Sequence, residues 1–144
     1  KEQVVMNTVL EETIAAFYTV LTERNIVPEI QMCEKKILRM LDRSALSRVV
    51  SNLISNVIKY SDGDLKIVLS ENGKITFSNR ASGLDEIQVG RLFDRFYTVE
   101  SARKSTGLGL AISKTLVEQM NGTISATYEN SRLSIHIFFP EIKE

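Results

Sequence analysis

Residues 49–60 read Val-Val-Ser-Asn-Leu-Ile-Ser-Asn-Val-Ile-Lys-Tyr, and no other stretch restricts the fold as much. At roughly 100° per residue on an α-helix, Leu46, Val49, Val50, Leu53 and Val57 form one apolar stripe, while Asn52, Asn56 and Lys59 fall within about 60° of one another elsewhere on the cylinder. One face must pack against a layer, and the other presents two amides and an ammonium. An ordinary amphipathic helix with a solvated polar face is one reading. Against it, Asn competes with the backbone for hydrogen bonds, so two of them one turn apart weaken the helix. A side-chain amide oxygen is a neutral hard ligand for Mg²⁺, and a neighbouring Lys is a point charge suited to phosphate.

The layer for this helix to cover is legible on both sides of it. Leu65, Ile67 and Leu69, then Ile75 and Phe77, alternate around Glu71-Asn72-Gly73, whose Asn-Gly pair marks a hairpin. Continuing the alternation puts Asn79 on the face of Ile75 and Phe77, where a polar amide needs a partner. Thr123 to Tyr128 and Arg132 to Phe139 read as two more strands, with Leu133, Ile135, Ile137 and Phe139 on one face and His136 on the other. Before the central helix, residues 1–5 are a lead-in, Asn7 is the expected N-cap of a helix running to about Glu23, and Ile26 to Met32 and Lys35 to Met40 are short strands, with Pro28 near an edge. Asp42 or Ser44 caps the central helix, which ends near Ser61-Asp62-Gly63.

Residues 80–105 lose periodicity apart from a helical turn around Val89 to Phe96, and a connection of this length is usually functional. Ser105-Thr106-Gly107-Leu108-Gly109-Leu110-Ala111 then opens a helix through Met120 that stops at Asn121-Gly122. Two glycines at a helix mouth let a backbone approach a ligand, and the unpaired N–H groups there favour phosphate. A turn with Ser105 or Thr106 as N-cap is the equally open alternative.

A chain of 144 residues, 43% hydrophobic, suffices for a single domain with its own core. Its 18 basic and 18 acidic residues balance, which gives no footing for nucleic acid or an anionic membrane. One Cys and one His exclude an internal disulfide and a structural zinc site, and Cys33 reads as a small buried hydrophobe. No apolar run is long enough to cross a bilayer, and no signal peptide is present. A chain opening on Lys1 reads as a cytoplasmic piece of something longer, with any membrane anchor elsewhere.

In that order, Asn52-x-x-x-Asn56-x-x-Lys59-Tyr60, Leu92-Phe93-Asp94-Arg95-Phe96-Tyr97 and Thr106-Gly107-Leu108-Gly109-Leu110-Ala111 resemble the N, F and G2 boxes of sensor histidine kinase catalytic domains, from the superfamily of gyrase, Hsp90 and MutL. The resemblance spans about Val4 to Phe139. It implies an α/β two-layer sandwich in which a mixed, mainly antiparallel sheet packs on three helices and binds ATP with Mg²⁺ beneath a lid. Carried over, Asn56 is the Mg²⁺ ligand, Asn52 assists at the phosphates, Lys59 contacts phosphate and Tyr60 packs on adenine. Gly107 and Gly109, with Thr106, Leu108 and Leu110, bring lid-end amides to the phosphates. Arg103 either reaches the γ-phosphate or is a solvated loop charge, and Phe93 and Phe96 anchor the lid.

The family's Asp-x-Gly-x-Gly aligns with Asn79-Arg80-Ala81-Ser82-Gly83, so Asn replaces the adenine-binding Asp and Ala the first Gly. Asn79 keeps one acceptor oxygen but loses the charge-assisted part, roughly a factor of two in that bond. Weaker nucleotide affinity than in a relative with the full motif is expected. Where the hydrolysing relatives carry a Glu, Asn52 cannot act as a base, which points to phosphoryl transfer rather than hydrolysis. The implied partners are an upstream dimerisation domain bearing the acceptor His, since His136 sits on a strand, and a response regulator. A pseudokinase scaffold and an anti-sigma-factor-type serine kinase are the alternatives.

Overall fold

The structure, a computed structural model, describes residues 1–94 and 109–141. Strands β1 (Glu2–Val5), β2 (Val27–Met32), β3 (Leu38–Leu41), β4 (Asp64–Leu69), β5 (Lys74–Arg80), β6 (Thr123–Glu129) and β7 (Arg132–Phe138) are joined by helices α1 (Met6–Ala16), α2 (Tyr18–Glu23), α3 (Arg43–Tyr60), α4 (Glu86–Gly90) and α5 (Gly109–Gln119). Alternating burial along β4, β5 and β7 is what a sheet covered on one face must show. The main sheet runs β2-β4-β5-β7-β6, with β2 parallel to β4 and every other pair antiparallel. Register aligns Ile30, Ile67, Phe77, Ile135 and Ala126 in a row across it.

On this face α3 is the central helix, packed against both α1 and α5. Leu46, Val49, Val50, Leu53 and Val57 of its apolar stripe, together with Ile54, are buried with Ile67, Phe77 and Ile137. The Asp42 carboxylate caps it, accepting from the Ala45 N–H at 3.0 Å. The expected mixed sandwich is therefore the architecture observed.

Several local expectations are corrected. The lead-in is a strand, β1, paired antiparallel with β3 in a separate two-stranded sheet. Its partner lies some three dozen residues away, so no local pattern announces it. Asn7 is not an N-cap: Val5 holds that position without a side-chain bond. The buried Asn7 amide instead donates to the Lys35 carbonyl at 3.1 Å and accepts from the Ile37 N–H at 2.8 Å, fixing the segment before β3. The first helix breaks at Phe17, so that beyond it only Leu21 is buried and Tyr18 faces solvent. The turn in the aperiodic stretch begins at Glu86, held by an Asp85–Gln88 capping box.

Two turns set the sheet's ends. The β4–β5 hairpin closes through Gly73, whose N–H donates to the Ser70 carbonyl and whose φ is +94°. The β6–β7 turn is a two-residue type, with Asn130 and Ser131 both left-handed at φ 52° and 61°. Beside Gly73 lies the buried Arg39 guanidinium, donating from Nε to the Phe139 carbonyl (2.7 Å) and from the two terminal nitrogens to those of Leu38 (2.8 Å) and Asn72 (3.0 Å). One cation thus joins β3, the β4–β5 turn and the end of β7.

Candidate functional site

The polar face of α3 turns toward α5. Asn52 and Asn56 are half-buried and Lys59 is exposed. The Asn52 amide approaches the Oγ of Ser113 at 3.4 Å, and Ser113 is fully buried on the second turn of α5. The amide-bearing helix and the glycine-led helix are therefore neighbours. Gly109 and Leu110 are the first residues of α5, where backbone N–H groups have no partner within the helix. The Leu110 side chain packs in the core, so what it offers a ligand is its backbone. Phe93 is half-buried and packs against the core. Arg103, Thr106, Gly107, Leu108 and Phe96 lie outside the described residues, as does the Tyr60 side chain.

At the far end of α3 the chain is stitched to the exit of β5. The Asp62 N–H donates to the Arg80 carbonyl at 2.9 Å, and the Asp62 carboxylate accepts from the Ser82 N–H (2.8 Å) and hydroxyl (2.9 Å). Asp64 accepts from the Arg80 N–H at 2.6 Å and from Arg132 Nη2 at 2.7 Å. The Ala81 N–H donates to the Ser131 carbonyl (2.9 Å), and the Ala81 carbonyl accepts from the Tyr128 hydroxyl (2.7 Å). Hydrogen bonds from Ser82 hold Asp62 below the usual carboxylate range. For Asp64, burial pushes the pKa up, but the bonds from Arg80 and Arg132 outweigh it and the net shift is downward.

Asn79 lies inside this frame, 5% exposed, on the core-facing row that the alternation assigns it. Its Nδ2 donates to the Arg80 carbonyl at 3.1 Å. Because a carbonyl can only accept, it is the nitrogen end of the amide that faces Arg80, and the oxygen has no partner among the described residues. Ala81 is buried with ordinary backbone angles, and of the two glycine positions in the motif only Gly83, at φ +83°, needs the left-handed region.

Sequence reasoning missed Asp62, Asp64, Ser113, Tyr128 and Arg132. The acidic pair around Gly63 looks like turn chemistry, and the Asp64–Arg132 pair spans 68 positions, so no local signal joins them. His136 lies on the other face of the sheet, between the hydroxyls of Thr76 (3.3 Å) and Thr127 (3.1 Å). Burial and the Lys74 charge push its pKa down.

Among the described residues no three His, Cys, Asp or Glu side chains cluster as a metal cage. No helix among them is long and apolar enough to cross a membrane.

The description of histidine kinase-, DNA gyrase B- and HSP90-like ATPases matches residues 41–143. The chain is 32% identical over 94% of its length to the sensor protein VanSC of Enterococcus gallinarum, and 37% identical over 74% to the sensor protein kinase WalK of Staphylococcus aureus. It spans 40% and 29% of those proteins, respectively. Among solved structures, the Acinetobacter baumannii histidine kinase AdeS superposes with a TM-score of 0.79 at 27% identity, covering 99% of this chain and 68% of that one. The mycobacterial sensor histidine kinase MprB shares the fold, with a TM-score of 0.84 at 24% identity and coverage of 96% and 97%.

Proposed function

The chain belongs to the family of histidine kinase-, DNA gyrase B- and HSP90-like ATPases, and from that premise we propose that it is the ATP-binding catalytic domain of a two-component sensor histidine kinase. The domain comprises residues 1–144 and works on the cytoplasmic side of a membrane-anchored sensor. It transfers the γ-phosphoryl group of ATP to a His on an upstream helical dimerisation domain, from which a response regulator takes it. The observation that carries this reading is the approach of Asn52 to Ser113, which sets the amide face of α3 beside α5, the helix that begins at Gly109. Relatives named as sensor kinases support it over a nucleotide-binding scaffold.

The residues present fit a magnesium nucleotide. Mg²⁺ bound to nucleotide takes much of its coordination from phosphates and water, so one neutral side-chain oxygen, that of Asn56, meets its need without a carboxylate cluster. Bound ATP supplies the transferable phosphoryl group. Asn52 orients the phosphate chain, and having no ionisable group near neutrality it cannot deprotonate water. Lys59, exposed at the end of the same face, offsets phosphate charge. Gly107, Gly109 and the neighbouring backbone N–H groups of Thr106, Leu108 and Leu110 receive the phosphates, with Arg103 at the γ-position. Asn79 and Gly83 meet the adenine, and Tyr60 stacks on it.

Calorimetric titration with Mg-ATP tests the binding step. Saturable binding that disappears in Asn56→Ala is expected; no heat at millimolar nucleotide overturns the reading. Phosphorylation of a joined upstream helical domain, abolished by the same substitution, tests the transfer.

A further inference from the structure

The two peptides that flank the Arg80 Cα are each held from outside, the Arg80–Ala81 peptide also through the Ala81 N–H on the Ser131 carbonyl at 2.9 Å. The Arg80 N–H donates to Asp64 at 2.6 Å, and the Arg80 carbonyl accepts from the Asp62 N–H at 2.9 Å. Asp64 is itself steadied by Arg132 at 2.7 Å. That same carbonyl receives the Asn79 Nδ2 at 3.1 Å. Among the described residues the Asn79 oxygen has no hydrogen-bond partner, and it is not sealed away from solvent, since no buried side-chain oxygen or nitrogen lacks a partner.

An Asn is a two-ended reader, which a carboxylate is not. With its oxygen forward it accepts from the 6-amino group of adenine; turned over, its NH₂ donates to the 6-carbonyl of guanine. Turning over here would lose the bond to Arg80 and set two oxygens against each other. We propose that Asp64 acts as a positioning group: by holding the Asn79–Arg80 peptide, while the Asp62 N–H holds the carbonyl of the next one, it fixes the backbone turn at Arg80 that locks the Asn79 amide oxygen-forward, and so preserves selection of adenine over guanine without the family's carboxylate. The inference rests on nucleotide binding at this site.

Competitive calorimetry with Mg-ADP and Mg-GDP tests it on the 144-residue chain. The unaltered protein should favour ADP by about tenfold or more, the value of one correctly paired hydrogen bond over a reversed one. Asp64→Ala should narrow that preference to about threefold or less by letting the amide turn. In an Asn79→Asp background there is no donor end to turn, so adding Asp64→Ala should leave the ADP:GDP ratio unchanged. A structural effect would instead weaken both nucleotides equally, or move the ratio in both backgrounds, and either result overturns the proposal. Should Asp64→Ala fail to fold, the unaltered chain still decides: comparable affinity for the two nucleotides sinks the lock. Binding of neither nucleotide would overturn the ATP-binding reading itself, and this inference with it.

Discussion

The same three strands, β4, β5 and β7, are tied at both ends by an ionised side chain, and the two ties differ in kind. At the hairpin end, buried Arg39 donates to three carbonyls, and its ion pair with exposed Glu141 is long at 3.8 Å. At the other end Asp64 accepts from a backbone N–H and from Arg132 while staying about two-fifths exposed. A buried cation that gives each of its three nitrogens to a carbonyl closes a core. A half-wet anion that fixes the Asn79–Arg80 peptide leaves the Asn79 amide oxygen unspent. The contrast teaches that similar chemistry becomes structural or functional according to what remains unspent around it.

The largest effect should come from Arg39→Met. Three carbonyls lose a charged donor, and a cost of about 3–5 kcal/mol in urea denaturation is expected, with the ADP:GDP preference of the surviving folded protein unchanged. A loss below 1 kcal/mol would erase the distinction between the two ties. At the same end, a Cβ on Gly122 would stand 2.5 Å from Phe139 Cδ1 and 2.9 Å from the Phe138 carbonyl. Gly122→Ala should therefore cost about 2–3 kcal/mol, read as a lowered thermal midpoint, because backbone cannot yield as a side chain tip does.

Asp64→Ala should cost at most about 1 kcal/mol, since so exposed a pair is screened, while altering base preference. Its folded pKa lies below the unfolded value, so its contribution is present above the ordinary carboxylate range and lost as pH falls through the folded pKa. The stability gap between the parent and the variant should thus shrink from pH 6 to pH 3; a constant gap would show that the charge is not what ties this end. Smallest of all is His136, whose lowered pKa makes the folded state resist protonation. Stability should dip as pH drops below the ordinary His value of about 6.5, and His136→Gln should flatten that dip by a fraction of a kcal/mol, on the order of its partial burial.

Legibility followed the range of the forces. The apolar stripe of α3, the hairpin at Gly73, the stop at Asn121-Gly122 and the inward row ending at Asn79 were readable because helical and strand periods are local. The break at Phe17 was not, since Val20 continues the helical spacing and only the lack of a packing partner after the turn exposes Tyr18 and Val20. Asn7 looked like a cap because caps are local, yet its partners at Lys35 and Ile37 are tertiary. For the candidate site, the order of boxes announced the chemistry of Asn52, Asn56 and the glycines, but not Ser113 or the Asp62–Asp64 frame.

By itself, then, the sequence determined the alternation of covered and open faces, the helix that carries two amides, and the type of ligand those amides and glycines suit. Only the tertiary structure decided which end of the Asn79 amide looks outward, because that depends on a carbonyl one residue away whose peptide is held by the Asp62 N–H and the Ser131 carbonyl, with Asp64 on the peptide before it. Side-chain type is written in the chain; the direction of a hydrogen bond is settled only when distant strands meet.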